Sequence, residues 1–377
     1  MKFGIITHAI HKEHFDKIYA YEPYVREMNL WAKYVTEIKI LSPISKEKLT
    51  AIETEYTGVR VKLEKIPSLH IKNIAYALHN ILYIPLIFFK IIKFIKNVDH
   101  IHLRCPGNIG LLGALAQIFY PSKQKTVKYA GNWDPNSKQP VSYKIQKWIL
   151  SNTILTKNCK VLVYGNWENQ SKNIIPFFTA SYKKNEIEII KTKNLSSVIK
   201  FIFVGAFSVG KQPMLSVKVI EKLSKQGFNV QLNMFGNGDK YIEIQNYIKK
   251  KSLENTIFLH GNKPKIEVKK AFKESHFLLF ISKSEGWPKV VAEAMFWSCL
   301  PISSNVSCVN YMLGNGSRGS VLKPDINIDD IIFEIKRYLN DEKKYQEKVL
   351  NATNWSQEYT LDKFEVEIKK ILDNNYE

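Results

Sequence analysis

Two glutamates eight positions apart, Glu285 and Glu293, are the side chains in this sequence whose setting most favours chemistry. The apolar run 277–281 precedes them and predicts a strand buried on both faces. A short turn at 284–287 follows, and Pro288 favours the first position of a helix because its fixed φ is already helical. The first glutamate then lies at the carboxyl end of a strand, where open α/β sheets bind ligands, and the second lies in the helix.

This spacing suits a ligand with hydroxyl groups at both ends and a phosphate in the middle. Glu293 lies about 7–8 Å beyond Pro288 along the helix axis, so both carboxylates reach one cleft. The amide groups of the first helical turn lie between them and attract anionic oxygens. Since a carboxylate repels phosphate, the two glutamates must face hydroxyls, and a nucleotide sugar has this distribution of groups. The alternative is a surface helix with two unrelated glutamates.

The segment Glu285-Gly286-Trp287-Pro288, followed by Glu293-Ala294, resembles the nucleotide-sugar motif of retaining glycosyltransferases of family 4. The resemblance implies the glycosyltransferase-B fold, which has two Rossmann-like, doubly wound α/β domains facing each other across a cleft. It is close over the second half of the chain and extends to the first half only in architecture. Pro288 replaces the glycine usual in the family, which removes one amide donor near the phosphates.

A second part of the resemblance follows the strand predicted at 200–204. In the family, a glycine-arginine pair at this strand end and a lysine further along hold the diphosphate. Here the glycine is Gly205 and the lysine is Lys211, whereas Ala206 occupies the arginine position. The resemblance therefore assigns stabilisation of the leaving group to Lys211. A solvated surface lysine is the alternative.

Two further loops of the second half are assigned by the resemblance to the nucleotide base. Gly236-Asn237-Gly238 follows the strand predicted at 230–235, and Asn262 follows the strand predicted at 257–260. The first loop lacks the third glycine of the dinucleotide fingerprint, which argues against hydride chemistry. Glycine after a strand lets the backbone approach a ligand closely. The family's corresponding loops border the base, which makes Gly236 and Asn262 candidate donor-binding residues.

The first half alternates predicted strands and helices, which indicates a mostly parallel sheet covered on both faces. The predicted strands are 3–7, 37–41, 59–63, 100–103, 126–130 and 161–164, and the predicted helices are near 22–34, 108–119 and 142–154. A polar segment at 183–198 holds the predicted boundary between an acceptor domain, 1–190, and a donor domain, 191–355. In the family a terminal helix, here 356–377 with Ser356 as its cap, completes the first domain.

The loops after the strands of the first half carry the candidate acceptor residues Arg104, Asn132 and Asp134. The tetrads Gly-Asn-Trp-Asp and Gly-Asn-Trp-Glu begin at Gly131 and Gly165, after two separate strands. Amide, carboxylate and indole groups are typical of sugar recognition. They are equally typical of a Gly-Asn turn followed by a tryptophan that covers the core. Both interpretations remain open. The glycine pair and the histidine that many family members carry in this half do not stand out, so the resemblance does not extend to the acceptor-side chemistry.

The net charge of +20 favours an anionic partner. Fifty of the fifty-five basic residues are lysine, whereas nucleic-acid readers rely on arginine, so a membrane surface or a phosphorylated substrate is favoured over nucleic acid. Segment 73–89 has no charged residue, and three lysines follow at helical spacing. Segment 73–98 is therefore either an amphipathic helix on an anionic membrane surface or an ordinary helix that covers the sheet. Its apolar stretch is shorter than the roughly 20 residues of a spanning helix.

The cysteines and the amino terminus indicate a cytoplasmic protein. If segment 73–98 lies on a membrane surface, we expect the protein on the inner face of the cell membrane. The four cysteines, Cys105, Cys159, Cys299 and Cys308, lack metal-ligand spacing and are predicted to be reduced thiols. The chain leads from Met1 directly into a strand without a signal-peptide pattern. No Asp-x-Asp pair follows a predicted strand, which argues against a metal-held diphosphate. We expect no other cofactor.

These observations lead to the hypothesis of a retaining, metal-independent hexosyltransferase of surface polysaccharide synthesis. It would transfer a sugar from a nucleotide diphosphate sugar to a hydroxyl of a glycan or lipid-linked saccharide. Lys211 and the amides near Trp287 and Lys289 would neutralise the departing diphosphate, and Glu293 would bind the ribose. Glu285 would hold the donor sugar and face the positive charge at its anomeric carbon. A nucleotide-sugar epimerase of the same fold and a non-catalytic binding partner, favoured by the missing arginine, are the alternatives.

Overall fold

The computed structural model describes residues 1–50, 52–69, 74–189, 193–323 and 325–373, and within the helix at 74–96 it describes side chains from residue 83. The chain divides into two compact units. The first comprises Met1–Phe178 and Phe364–Glu377, and the second comprises Thr179–Lys363.

The described part of the first unit contains ten strands in two sheets. They are β1 (Lys2–Ile6), β2 (Lys12–His14), β3 (Lys17–Tyr21), β4 (Glu37–Ser42), β5 (Glu53–Glu55), β6 (Arg60–Lys65), β7 (His100–Cys105), β8 (Gln124–Tyr129), β9 (Cys159–Tyr164) and β10 (Ile174–Phe177). Seven of them form a parallel sheet in the order β10-β9-β8-β7-β1-β4-β6. The other three form an antiparallel sheet in the order β2-β3-β5.

The helices of the first unit pack apolar side chains against the large sheet. They are α1 (Glu22–Ala32), α2 (Ile74–Lys96), α3 (Asn108–Ala116) and α4 (Val141–Ser151). The buried core contains aliphatic side chains of β7, β8 and β9 and the inner face of α2. Such continuous apolar strands are expected for a parallel sheet with helices on its faces. The small antiparallel sheet was not predicted, because β2, β3 and β5 are short and largely polar. Strand β10 was not predicted either, and it is four residues long and contains Pro176.

Helix α2 covers the sheet over its described side chains. Ile87, Ile91 and Phe94 are fully buried, whereas Phe89 is 69% exposed on another face. This supports the covering-helix interpretation of segment 73–98, although residue 73 and the side chains of 74–82 lie outside the described part. No helix among the described residues is long and apolar enough to span a membrane.

The second unit contains a six-stranded sheet over its described residues, with all strands parallel in the order β13-β12-β11-β14-β15-β16. These strands are β11 (Ile199–Val204), β12 (Val230–Phe235), β13 (Ile257–Gly261), β14 (Phe277–Phe280), β15 (Leu300–Ser304) and β16 (Ser320–Leu322). The helices are α5 (Pro213–Lys225), α6 (Tyr241–Lys250), α7 (Lys265–Glu274), α8 (Lys289–Phe296), α9 (Val309–Met312), α10 (Ile328–Leu339), α11 (Glu342–Gln357) and α12 (Leu361–Leu372), most of which belongs to the first unit. Aromatic and aliphatic side chains of β11, β12, β14 and β15 form its core.

The division between the units falls earlier than the predicted boundary at 190. Tyr182 packs its ring against Phe296 and Trp297, at centroid distances of 4.9 and 5.0 Å, so the polar segment after residue 178 belongs to the second unit. Residues 190–192 of the predicted boundary segment lie outside the described part.

The terminal helix also begins later than predicted. Ser356 lies inside α11 and donates a hydrogen bond to the Ala292 carbonyl, so it does not cap the last helix. Thr360 takes that role, since its hydroxyl accepts a hydrogen bond from the Lys363 amide at 3.2 Å. Phe364 of α12 then packs against Phe177 within the first unit, at a centroid distance of 5.3 Å.

All four cysteines are free and buried. Burial raises the pKa of the Cys159 and Cys299 thiols to about 12, so both remain protonated at neutral pH.

Candidate active site

Two loops of the second unit meet at the carboxyl edge of its sheet. Strands β11 and β14 are neighbours, so the segments that follow them leave the sheet side by side. The Lys283 amide donates a hydrogen bond to the Gly210 carbonyl at 2.9 Å, and the Ser282 hydroxyl donates to the same carbonyl at 3.3 Å. These backbone contacts bring Lys211 and the turn at 284–287 together.

Lys211 and Glu285 form an ion pair in which the ammonium donates to the carboxylate. The Glu285 side chain is 9% exposed and the Lys211 side chain is 27% exposed, so the pair is largely shielded from water. The Lys211 ammonium also lies 4.8 Å from the ring centroid of Phe280, the last residue of β14. The structure thus joins the two residues that were predicted separately, one for the phosphates and one for the sugar.

The turn after β14 is held by side chains from further along the chain. The Ser307 hydroxyl and the Cys308 thiol donate hydrogen bonds to the Gly286 carbonyl, at 2.8 and 3.2 Å. The Trp287 ring is buried and stacks with Trp355 of α11 at a centroid distance of 6.4 Å. The indole is therefore a packing group, and only its backbone is suited to contact a donor.

Pro288 precedes helix α8 and is not its first residue. Its φ is −73° but its ψ is 90°, which is extended, and its carbonyl accepts from the Val291 amide at 2.9 Å. Because the helix begins at Lys289, the amides of Lys289 and Val290 stand at its first two positions, where no intrahelical acceptor exists. The helix start is one residue later than the sequence predicted, and the proline removes no amide from the first helical turn itself.

Glu293 lies one turn into α8 and accepts a hydrogen bond from the Ser181 hydroxyl. Ser181 is 8% exposed, and its carbonyl accepts from the Lys265 ammonium. The second glutamate is therefore held in one orientation by a residue about a hundred positions earlier in the chain. Nothing in the sequence pattern indicated Ser181, because it lies in a polar segment without a motif.

The glycines of the next two loops serve close approach between backbone segments. A Cβ atom on Gly236 would lie 1.9 Å from the Gly205 carbonyl oxygen, and its φ is +130°. A Cβ atom on Gly238 would lie 2.6 Å from the Phe207 carbonyl oxygen. The sequence pattern predicts that these glycines admit a ligand, but the group that approaches them is the loop after β11. Asn262 is exposed one residue after Gly261, whose carbonyl accepts from the Gly236 amide at 2.8 Å.

The candidate acceptor residues of the first unit are largely committed to local structure. Arg104 pairs with Glu27 at 3.6 Å, and its guanidinium lies 5.3 Å from the ring centroid of Tyr24. The Asn132 side chain accepts from the Asp134 amide at 2.9 Å, and the Asp134 carboxylate accepts from the Asn136 amide at 2.8 Å. Both of these contacts are Asx turns, which supports the turn interpretation of the tetrad.

The two tryptophans of the tetrads both contact the core of the first unit, but they differ in burial. Trp133 is 3% exposed, lies edge-on to Tyr129 at 4.7 Å and donates to the Gln170 side chain at 2.9 Å. Trp167 packs against the core and donates to the Tyr164 carbonyl at 2.8 Å. Trp133 therefore presents no aromatic face as a sugar platform, and the packing alternative describes it, whereas Trp167 is half-buried.

Lys147 of helix α4 also contacts this loop, and the sequence pattern did not indicate it. Its ammonium donates to the Asp134 carbonyl at 3.3 Å and lies 5.4 Å from the Trp133 ring centroid. Burial lowers its pKa to about 8.

Among the described residues, no group of three or more His, Cys, Asp or Glu side chains is arranged to hold a metal ion.

Part of the second unit matches a known protein family. Residues 184–355 match the family described as Glycosyl transferases group 1. The capsular polysaccharide biosynthesis glycosyltransferase CapH of Staphylococcus aureus is 28% identical over 238 residues, which cover 58% of this chain and 63% of CapH. The aligned segment thus spans less than two thirds of that relative.

Solved structures match over nearly the whole chain. The lipopolysaccharide outer core galactosyltransferase WaaB, in its apo form, superposes with a TM-score of 0.70 at 14% identity and covers 100% of both chains. HepE of Anabaena, in complex with UDP and glucose, superposes with a TM-score of 0.67 at 13% identity and covers 99% of this chain and 100% of its own. Residues 184–355 are a Glycosyl transferases group 1 domain, and the chain that contains them has the glycosyltransferase-B fold.

Proposed function

We propose that this protein transfers a sugar from a nucleotide diphosphate sugar to a hydroxyl of a glycan or lipid-linked saccharide. The observation that carries the proposal is the Lys211–Glu285 pair at the carboxyl ends of two neighbouring strands in a group 1 domain. The names of CapH and WaaB, which concern capsular polysaccharide and lipopolysaccharide, support a role in surface polysaccharide synthesis. The UDP and glucose bound to HepE support a nucleotide sugar as the donor.

The pair gives the donor site a positive and a negative end. An ammonium group has three donors, so Lys211 can keep its bond to Glu285 and donate another to a phosphate oxygen. The second oxygen of the Glu285 carboxylate can then accept from a sugar hydroxyl. In this arrangement the cation stabilises the departing diphosphate while the carboxylate faces the positive charge that develops at the anomeric carbon.

The start of α8 lies between this pair and Glu293. The amides of Lys289 and Val290 would supply the hydrogen bonds for the diphosphate that an arginine at Ala206 supplies in the family. Glu293, oriented by Ser181, would accept from the ribose hydroxyls through its remaining lone pairs. In this assignment Gly236 and Asn262 border the base and Gly205 lies beside the diphosphate, with the glycines acting through the close contact of their two loops.

Retention and metal independence are part of the proposal. The acceptor hydroxyl would attack from the face that the diphosphate leaves, as in the family that the motif resembles. Lys211 and the helix amides would supply the charge stabilisation that a bound cation supplies in metal-dependent enzymes. Transfer should therefore persist in excess EDTA, and the anomeric configuration of the product, read from its proton coupling constant, should equal that of the donor.

The first unit would bind the acceptor, with Arg104, Asn132 and Asp134 shaping its loops more than contacting the sugar. A lipid-linked acceptor would suit attachment to an anionic membrane on the inner face of the cell membrane. Phe89 of α2 is 69% exposed, and Lys90, Lys93 and Lys96 follow it on the same helix. An exposed apolar side chain beside lysines is typical of interfacial helices.

A panel of nucleotides and nucleotide sugars in a thermal-shift assay tests the donor assignment, because a ligand that binds the folded state raises the unfolding temperature. The nucleotide sugar with the largest shift is then incubated alone and with saccharide acceptors. Release of nucleotide diphosphate with a glycosylated or hydrolysed product supports the transferase. An isomerised donor would instead show an epimerase, and binding without turnover would show a non-catalytic partner.

A further inference from the structure

The helices α2, α3 and α4 cover one face of the large sheet in the first unit. Buried side chains of all three contribute to the same core, and α3 packs against both α2 and α4. Each helix therefore turns an outer side away from the sheet. The three outer sides together form the three-helix face, whose exposed apolar side chains are Leu86 and Phe89 of α2, Leu115 of α3, Phe119 just after α3, and Val141, Ile145 and Trp148 of α4.

The exposed apolar side chains of α4 form a stripe along the helix. Val141, Ile145 and Trp148 are separated by four and three residues, which places them on one side of the helix. All three are exposed, and Trp148 is 61% exposed. On the other side of α4, Gln146 and Leu150 are fully buried. The helix thus has its buried side toward the sheet and a second apolar side in contact with solvent.

Aromatic side chains join the outer sides of α2 and α3. Phe119 is 68% exposed, and Phe89 of α2 is exposed to a similar extent. The partly buried ring of Phe88 contacts both, at centroid distances of 6.4 Å from Phe119 and 6.5 Å from Phe89. Leu115 lies one helical turn before Phe119 and is also exposed. Exposed apolar side chains that are contiguous in this way mark interaction surfaces.

The charge around the three-helix face is strongly positive. Residues 74–167 contain all three helices and include twelve basic residues but only two acidic ones, Asp99 and Asp134. This quarter of the chain therefore carries half of the net charge of +20. Lys90 of α2 and Lys144 of α4 are exposed, and the three helices themselves contain no carboxylate side chain.

Apolar exposure and positive charge together select the partner. A second copy of the chain would bring a surface of the same sign against the face, and like charges repel. A nucleic acid would match the charge but leave aliphatic side chains such as Val141 and Ile145 in water. An anionic lipid surface matches both properties, because apolar side chains enter the boundary between headgroups and acyl chains while lysines contact the headgroups. Tryptophan, as at position 148, is enriched at this depth.

We propose that the three-helix face binds an anionic lipid bilayer, with α3 and α4 lying on the surface beside α2. The inner sides of the helices stay packed on the sheet, so α2 both covers the sheet and contacts the lipid. The proposal rests on the membrane attachment that is part of the proposed function, and it extends the contact from one helix to a surface of three. The donor site of the second unit takes no part in it.

Flotation with vesicles of phosphatidylcholine alone, and of phosphatidylcholine with about 30% phosphatidylglycerol, tests this binding. The test variant is Phe119→Gln with Trp148→Gln. The control is Phe333→Gln with Ile242→Gln, which removes two apolar side chains of the second unit that are 64% and 62% exposed. The protein should float with the anionic vesicles. The test variant should bind at least about tenfold more weakly and the control less than about twofold, because only the first loses buried apolar area.

The contribution of charge is measured with a second pair of variants. Lys90→Gln with Lys144→Gln should weaken binding to the anionic vesicles by about tenfold or more, since each lysine near an anionic surface contributes to binding. The control is Lys249→Gln with Lys250→Gln, two exposed residues at the end of α6 in the second unit, which changes the net charge equally. Equal losses in these two variants would show attraction by the net charge and overturn the assignment to the three-helix face.

A fluorescent label locates the contact. Because the four native cysteines are buried, an environment-sensitive dye labels Phe119→Cys or Phe333→Cys selectively. The emission should shift to shorter wavelength on addition of anionic vesicles for the label at position 119 and remain unchanged for the label at position 333. The same response at both positions, or no binding to anionic vesicles, overturns the proposal. A dimer that the Phe119→Gln, Trp148→Gln variant loses, without vesicle binding, would assign the face to a second copy and also overturn it.

The membrane proposal and the donor assignment fail separately. The thermal shift with the nucleotide sugar is measured without vesicles, and the Phe119→Gln, Trp148→Gln variant should retain it in full. A protein that binds vesicles but no nucleotide sugar would refute the proposed function and leave the three-helix face supported. Circular dichroism and the unfolding temperature confirm that each variant is folded.

Discussion

Replacement of Glu285 by glutamine should separate donor binding from turnover. The substitution keeps the size of the side chain and its ability to accept a hydrogen bond but removes the negative charge that pairs with Lys211. In the free protein the Lys211 ammonium is bonded to this carboxylate, whose negative charge opposes the approach of a donor phosphate to the same ammonium. The glutamine therefore removes this opposing charge and, with it, the charge proposed to act on the sugar.

The expected magnitudes follow from the shielded position of the pair. A hydrogen bond to a charged group contributes about 1.5–3 kcal/mol and a neutral one about 0.5–1.5 kcal/mol, so the substitution weakens the interaction of Lys211 with residue 285 by about 1 kcal/mol, and we expect a bound phosphate to gain about that amount. This corresponds to about fivefold tighter binding of the nucleotide diphosphate. Loss of a preorganised group that stabilises transition-state charge typically lowers turnover by about 100-fold to 1,000-fold. We expect Glu285→Gln to show both changes.

The assay combines titration calorimetry of the nucleotide diphosphate with the rate of donor consumption. The donor is the nucleotide sugar that gives the largest thermal shift, and its slow hydrolysis provides a rate without a known acceptor. The control is Glu267→Gln, which removes an exposed carboxylate that pairs with Lys263 on the same unit at 3.3 Å. Losses of affinity and of turnover by the same factor would refute the assignment of Glu285 to the sugar, and unchanged turnover would refute its catalytic role.

Three further outcomes test the surrounding geometry. Gly236→Ala should lower the free energy of unfolding by about 3–5 kcal/mol in urea denaturation. The added Cβ atom would lie 1.9 Å from the Gly205 carbonyl oxygen, and the φ of +130° is strained for alanine. Gly227→Ala, where φ is +86° and nothing lies within 4 Å, should cost only the backbone strain, and equal losses would contradict the contact. Ser181→Ala should weaken nucleotide diphosphate binding about fivefold, the effect of losing one hydrogen bond to Glu293, but leave pyrophosphate binding unchanged because pyrophosphate has no ribose. Proton linkage to His11 alone should lower the free energy of unfolding by about 2 kcal/mol between pH 7.5 and pH 5. Burial lowers the folded-state pKa of His11 to about 4, below the unfolded value of 6.5, so its contribution is complete above pH 6.5 and is lost as the pH falls toward 4. His11→Gln should reduce the pH dependence by this amount and leave the part that the buried His100 contributes in the same direction, and an unchanged slope would show that His11 does not titrate as described.

The sequence predicted the alternating architecture because its strands are continuous apolar runs between turn residues. Phe277–Phe280 and Leu300–Ser304 are buried along their whole length, and such runs identify themselves by composition. The short polar strands of the antiparallel sheet carry no such pattern. Their pairing depends on neighbours that are distant in the sequence, as Tyr19 pairs with Glu55.

The candidate site also contains features that the local sequence predicted and features that it did not. The motif from Glu285 to Glu293 was predictable because the turn, the proline and the helix are local features of one segment. The partners of these two glutamates were not, since Lys211 and Ser181 reach them from 74 and 112 positions away. Likewise, either interpretation of Trp133 agreed with its tetrad until the fold placed the ring in the core at 3% exposure.

Local sequence therefore determined the order of strands and helices and the position of the motif from Glu285 to Glu293, because propensity, turn chemistry and apolar periodicity act over a few residues. The tertiary structure alone decided that Lys211 pairs with Glu285, that Gly236 accommodates a neighbouring loop, and that the outer sides of α2, α3 and α4 form one exposed face. These features require segments far apart in the chain to meet, and the pairing of parallel strands within each sheet brings them together.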